Sequence, residues 1–327
     1  MEEIKAYLQP GLDKVNAFID SALCSDIPLL DQTNRSLREH PGKMMRPMLS
    51  LLVAGAAGVA TAPPEDTYRF AAASELLHNA TLLHDDVVDG ATERRGLPTV
   101  ASILGGSAAV LIGDYWLEKC LRLVLGARRE ADRVLRLFAQ TIGHLTEGEL
   151  LQMQKATSAD TTQADYLRIV FGKTASLFES TAMSAAISVG SDEDMILAMG
   201  DYALRLGIAF QIKDDIFDYQ DDAARIGKPV GIDLLEQKIT QPLLCALEKA
   251  DESVQLAIRD KVRHIPDHPE YVAEVTAFVK EMGGVALAQE KMDSYVEDAI
   301  SRLAILPESK EKSYLAKLAR FVGQREK

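Results

Sequence analysis

Apolar side chains recur along this chain at helical spacing. Between Thr67 and Val88, residues Phe70, Ala73, Leu76, Leu77, Ala80 and Leu83 fall mostly three or four apart, the period of an α-helix. Ala203–Phe217 and Ala286–Leu303 repeat the pattern. No segment shows sustained strand alternation, and no hairpin dipeptide joins two β-branched runs. No proline stands between Pro98 and Pro229, and that span is rich in Ala, Leu, Glu, Gln and Arg, which favour helix. Leu29–Arg35, Ala62–Asp66, Asp89–Thr99, Ser158–Thr162, Asp222–Gly231 and His264–Pro269 read as connections by their Pro, Gly, Asp and Ser content. None is long or of low complexity, and no solenoid repeat is visible. The expectation is an all-α bundle of long helices forming a single domain over residues 1–327.

Composition narrows the function. Apolar residues make up 47% and charged residues 26%, an ordinary globular balance. Acidic residues outnumber basic ones, 49 to 36, for a net charge of −13. General nucleic-acid binding needs a basic stripe and is disfavoured; an anionic substrate held by a local basic cluster is not. Cys24, Cys120 and Cys245 lie far apart, with neither zinc spacing nor a disulfide framework, which fits a reducing cytoplasm. The N-terminus is charged and amphipathic, without a signal-peptide core. The apolar stretches Met48–Pro63 and Val100–Gly113 fall short of the ~20 residues of a span, so a cytoplasmic protein with no transmembrane segment is expected.

Two segments echo each other: LLHDDVVDG at 82–90 and QIKDDIFDY at 211–219. Asp85, Asp86 and Asp89 have the spacing DDxxD, as do Asp214, Asp215 and Asp218. On an α-helix, positions i, i+1 and i+4 fall within about 100° of arc, so each triad shows three carboxylates on one face. Carboxylates this close repel unless a cation neutralises them. Oxygen ligands without His or Cys select Mg²⁺ or Mn²⁺, and Mg²⁺ prefers one or two carboxylates plus substrate phosphates. Two such triads with Mg²⁺ between them would clamp a diphosphate.

Such a clamp also needs cations. Lys43 and Arg46 stand at i and i+3 in PGKMMRP, one helical face just after a turn. Arg94 and Arg95 follow the first triad, Lys173 and Thr174 lie in FGKTASLF, and Lys228 and Lys238 follow the second triad. Arginine offers a planar fork to phosphate oxygens and lysine a point charge. His78 precedes Asp85 by seven residues, within about 20° of it on a helix. His84 points about 100° away and reads as structural.

Together these residues resemble the trans-isoprenyl diphosphate synthases, and within them the polyprenyl, octaprenyl-like branch. The resemblance rests on GKMMRP at 42–47, ELLHNATLLHDDVVDGATERRGLPT at 75–99, GKT at 172–174, FQIKDDIFDY at 210–219 and GKPVGIDLLEQKITQP at 227–242. It implies an all-α fold around a deep apolar cavity, a homodimer, and Mg²⁺-dependent head-to-tail condensation of isopentenyl diphosphate with an allylic diphosphate. It implies three Mg²⁺ ions, with Mn²⁺ as a substitute. Asp85, Asp89 and Asp214 would bind metal, with Asp86, Asp215 and Asp218 in support and Lys173 also in the catalytic set. Lys43, Arg46, His78 and Arg95 would hold isopentenyl diphosphate; Arg94, Lys173, Thr174, Gln211 and Lys228 would hold the allylic substrate. Met44 replaces a cation common in the first motif, Gln237 stands where Gly is common, and Gln241 where an apolar residue is common.

Product length would follow from the cavity floor. Ala80 and Thr81, five and four residues before Asp85, are small where farnesyl synthases tend to carry aromatics, and the stripe continues through Leu77. A product longer than C20, in the C30–C40 range, is therefore expected, with a shorter-chain C15–C20 synthase or a non-catalytic partner subunit as alternatives. Terpene cyclases usually carry an Asn/Ser/Thr-type second metal motif, which this chain lacks. A di-metal carboxylate bundle needs two Glu-x-x-His pairs, and Glu75/His78 is the only one here.

Overall fold

The computed structural model describes residues 1–40, 42–58, 63–94, 96–219 and 231–325. Among these, the helices run in the order α1 (Glu2–Leu23), α2 (Pro28–Glu39), α3 (Met45–Ala56), α4 (Glu65–Val88), α5 (Val100–Leu104), α6 (Gly106–Leu125), α7 (Ala131–Ser158), α8 (Gln163–Val170), α9 (Ser176–Ser188), α10 (Glu193–Phe217), α11 (Ile232–Leu235), α12 (Gln241–Glu248), α13 (Glu252–Arg263), α14 (Tyr271–Glu281), α15 (Gly284–Arg302) and α16 (Lys310–Gln324). A π-helical turn, Phe171–Ala175, joins α8 to α9, and a 3₁₀ turn, Leu303–Ile305, follows α15. The fold is all-α, as its sequence predicts.

The chain divides into two compact units. The first comprises residues 1–139, 180–200 and 305–315; the second comprises 140–179, 201–304 and 316–327. In the first, α4 lies against α6, α3 and α1. Helix α1 turns Ile4, Leu8, Leu12, Val15, Ile19 and Leu23 inward, a four-and-three spacing that makes one apolar stripe. Each fully buried aliphatic side chain contributes about 1.5–3 kcal/mol. Along α4, Phe70, Ala73, Leu76, Leu77, Ala80 and Leu83 are all buried, as the periodicity predicts. In the second unit, α12 packs against α15 and α14. The core there includes Leu243, Leu244, Leu247, Val275, Val279, Ala288 and Met292.

Three expectations change. Leu29–Arg35 is helix, not connection: Pro28 occupies a first-turn position suited to its missing N–H, and buried Asn34 bonds the Leu23 carbonyl and Trp116 Nε1. Composition cannot show those distant partners. Asp89–Thr99 contains a two-residue antiparallel ribbon, Glu93–Arg94 with Leu97–Pro98, too short to leave an alternating pattern. The most span-like helix is α10, with a window of mean hydropathy 1.3, half of it buried. Asp201 and Arg205 interrupt that run in sequence but pair with each other.

Candidate active site

The first triad closes α4. Asp85 is half-buried, Asp86 buried, and Asp89, the C-cap, exposed. The cap's N–H still bonds the Asp85 carbonyl, so the helical register carries all three carboxylates. Asp86 is held by Arg94 Nε at 2.6 Å. The chain returns Arg94 to Asp86 through the turn after Gly90, whose φ of 62° suits a residue without Cβ. Further back on α4, Leu77 and Ala80 are buried, while Thr81 and His78 are half-buried and joined by the Thr81 hydroxyl donating to the His78 carbonyl. His84 lies 3.2 Å from Asp114 and 3.3 Å from the Val110 carbonyl, against Gly113, in accord with a structural role.

Lys43 and Arg46 do not share a helical face. Met44 is left-handed, with φ 54°, and α3 starts at Met45, so exposed Lys43 stands outside the helix. Arg46 is buried, and burial lowers its pKa to about 10 against the favourable field of buried Glu75. Arg95 and Lys228 lie outside the described residues.

The second triad stands at the end of α10, with Asp214 and Asp215 in its last turn and Asp218 directly after Phe217, the same place relative to the helix end that Asp89 has after Val88. Asp218 turns to accept the backbone N–H groups of Ile232 and Asp233, each at 3.0 Å, capping α11. Asp215, 2% exposed, accepts from the Tyr166 hydroxyl (2.6 Å), Gln211 Nε2 (3.0 Å) and the Gln241 N–H (3.3 Å). Burial raises the pKa of Asp215, and those three donors oppose the rise. Asp214 pairs with Arg325 Nη2 at 2.6 Å. That guanidinium also donates to the Phe210 carbonyl and lies 3.8 Å from the Phe210 ring centroid.

Thr174 donates to Gln211 at 2.8 Å, so three predicted residues, Thr174, Gln211 and Asp215, form one hydrogen-bonded chain. Lys173 is directed to Glu149 at 2.5 Å. Both Lys173 and Thr174 sit on the π turn, a feature frequent at functional sites. A Cβ on Gly172 would lie 2.6 Å from the His144 carbonyl and one on Gly148 would lie 2.9 Å from Gly172 Cα, so two glycines let this turn press on α7. A cavity of about 150 Å³ lies beside Lys173, Gln211, Asp215, Asp233 and Lys238, with Tyr166 and Ile169 also in its wall.

The donor sets suit a hard cation. The triads offer carboxylate oxygens without thiol or imidazole ligands, and the Arg325 guanidinium competes for the one on Asp214. Among the described residues no three His, Cys, Asp or Glu side chains gather tightly enough to hold an ion alone. Mg²⁺ tolerates this, because it keeps waters and takes substrate phosphates as ligands.

Sequence reasoning missed Tyr166, Glu149, Gln163 and Arg325. Tyr166 stands seven residues before Lys173, a spacing that marks a shared side of a helix. No sequence signal marks Arg325, since its partner is 111 residues away.

Known proteins match this chain along its length. A sequence profile of the family described as polyprenyl synthetase matches residues 27–282. The octaprenyl diphosphate synthase of Haemophilus influenzae is 35% identical over 319 residues, which cover 98% of this chain and 95% of that one. The all-trans-nonaprenyl-diphosphate synthase of Rhodobacter capsulatus is 34% identical, covering 99% and 98%. The crystal structure of a decaprenyl diphosphate synthase from Rhodobacter capsulatus superposes with a TM-score of 0.89 at 33% identity, covering 100% and 99%. A polyprenyl synthase from Caulobacter crescentus, crystallised with calcium and isoprenyl diphosphate, gives 0.89 at 29% identity, covering 100% and 98%. This chain belongs to the polyprenyl synthetase family.

Proposed function

We propose that the chain is a Mg²⁺-dependent head-to-tail prenyltransferase, working as one domain over its full length. It condenses isopentenyl diphosphate with an allylic diphosphate, farnesyl or geranylgeranyl, into an all-trans polyprenyl diphosphate of medium or long chain. The observation that carries the reading is the second triad: a buried aspartate fixed by three donors beside a carboxylate paired with Arg325. Mg²⁺, three ions as in the sequence expectation and replaceable by Mn²⁺, supplies charge for the departing diphosphate. Asp85, Asp89 and Asp214 bind it, supported by Asp86, Asp215 and Asp218.

The allylic diphosphate is oriented by Arg94, Lys173, Thr174, Gln211 and Lys228. Lys43, Arg46, His78 and Arg95 hold isopentenyl diphosphate, so two reactants are confined together and much of their entropy of encounter is removed. The allylic C–O bond breaks, the alkene of isopentenyl diphosphate attacks the cation, and the released diphosphate takes the departing proton. Apolar Leu77 and Ala80 line the path of the growing chain and exclude water. The small side chains of Ala80 and Thr81 favour products of C30–C40. We extend the reading to a cytoplasmic homodimer: Ile103 on α5 and Leu111 on α6 leave large apolar side chains 66% and 68% exposed in the single chain.

The test uses purified full-length protein with labelled isopentenyl diphosphate, farnesyl diphosphate and Mg²⁺. Polyprenols recovered after dephosphorylation, and lost with chelator, are the expected result. No incorporation by folded protein with geranyl, farnesyl and geranylgeranyl primers would overturn the reading in favour of a non-catalytic partner subunit.

A further inference from the structure

Position 241 carries a buried amide, and its surroundings explain what it does. Gln241 is the first helical residue of α12, and its side chain is 1% exposed. It faces Gln163, the first helical residue of α8. The two amides exchange hydrogen bonds, Gln163 Nε2 to Gln241 Oε1 at 2.9 Å and Gln241 Nε2 to Gln163 Oε1 at 3.0 Å. Lys291 Nζ on α15 adds a third contact to Gln163 Oε1 at 3.2 Å and bonds Glu248. The two helix starts are thus pinned head to head by a polar clip.

The clip matters through what each helix start presents. Three residues beyond Gln163, on the same face of α8, Tyr166 donates its hydroxyl to Asp215. The backbone N–H of Gln241 is one of the donors a helix start leaves unsatisfied, and it points at the same carboxylate oxygen. A capping box fixes the register of α8: the Thr162 hydroxyl accepts the Asp165 N–H, and the Asp165 side chain accepts the Thr162 N–H. Two of the three donors to Asp215 therefore come from the two helices that the amide clip joins.

We propose that Tyr166 and the Gln163–Gln241 amide pair are positioning residues that set the second aspartate triad for cation binding. With Asp215 held by three donors, it serves as a wall beside Asp214, the carboxylate that pairs with Arg325 here and that the proposed reaction turns to the ion. Groups that orient metal ligands from behind are worth about 10–100-fold in affinity or activity when removed. An apolar residue at 241 would leave the backbone donor in place but release the distance between the two helix starts.

The inference rests on the proposed Mg²⁺-dependent reaction, and the experiment separates the two. Tyr166→Phe, Gln241→Leu, Gln163→Leu and the double Leu variant are compared with the unaltered protein. Two readouts are taken: the Mg²⁺ concentration giving half-maximal incorporation, and Mn²⁺ binding in the presence of inorganic diphosphate, followed by the resonance of the free ion. Thermal melting monitors folding. Tyr166→Phe is expected to raise both constants about tenfold, with little change in KM for farnesyl diphosphate. Gln241→Leu and Gln163→Leu are each expected to raise them by a few fold, and the double variant no further, because each removes the same pair. Unchanged cation constants in Tyr166→Phe and Gln241→Leu, or a lowered melting temperature with unchanged constants, would overturn the inference. An unaltered protein without Mg²⁺-dependent incorporation would instead overturn the functional reading.

Discussion

Asp86 in the first triad is held by Arg94, eight residues along the chain. Asp215 in the second is held by Tyr166, 49 residues before it, and by the Gln241 N–H, 26 residues after it. Asp89 and Asp218 each directly follow the last residue of their helix, but Asp89 stays exposed whereas half-buried Asp218 caps α11. One sequence pattern thus yields two surroundings: a carboxylate face whose buried member is balanced by a local arginine, and one whose buried member is held by distant donors. A motif fixes which side chains stand at which helical angle; the surroundings decide whether those carboxylates are held for a metal or for the fold.

The largest effects should come from deleting one metal-facing carboxylate on each side. Asp85→Ala and Asp214→Ala are each expected to lower incorporation of isopentenyl diphosphate by about 10²–10³-fold or more, the scale of losing a principal electrostatic contact to a leaving group. Their stabilities should differ. Asp214→Ala leaves the Arg325 guanidinium, whose side chain is 5% exposed, without its carboxylate, a loss of about 1–3 kcal/mol. Asp85→Ala, at a half-buried helix end, should cost less than that. Urea unfolding in the presence of chelator separates them, and equal midpoints would break the comparison.

That contrast also explains what was legible in the sequence. Helix α4 is readable from its apolar stripe, and the first triad from its spacing, because both depend on neighbours three and four residues away. Arg94 was likewise legible as a cation beside the triad. The second triad was legible only as a motif. The partners of Asp218 are N–H groups at 232 and 233, and Arg325 reaches Asp214 from the far end of the chain. Leu29–Arg35 failed for the same reason: the polar residue that reads as a turn, Asn34, finds its partner in Trp116. Gln241 was legible as a departure but not as a clip, since Gln163 lies 78 residues away.

An intermediate effect should come from the α4 stripe behind the first triad. Ala80 is 2% exposed and Leu77 1%, so a larger side chain at 80 has to take space from the unit's interior. Ala80→Phe is expected to shorten the product towards C15–C20 and to cost about 1–3 kcal/mol from overpacking. Chain length is read by reversed-phase separation of the dephosphorylated product. An unchanged distribution would show that this face does not set length and would leave the first unit with the clamp alone.

The smallest effect is a pH dependence confined to the second triad's surroundings. Asp233 is held well above the usual carboxylate range, first by burial and then by the charges of Asp215 and Asp218, with Lys238 opposing. The folded protein therefore keeps a proton there that the unfolded chain releases near about pH 3.9. Between that pH and the raised value the native state binds more protons, so stability is fully present at low pH and declines as pH rises, by at most about 1.4 kcal/mol per pH unit for one group. Asp233→Asn removes that site's titration and keeps the backbone N–H that donates to Asp218. In chelator, its stability advantage over the unaltered protein is expected to widen from pH 5 to pH 8. Asp215 and Asp218, also raised by burial, keep part of the slope in the variant. Parallel stability curves for the two proteins would mean that Asp233 is already ionised in the fold, compensated by Lys238, and that the second triad's enclosure is less costly than its burial implies.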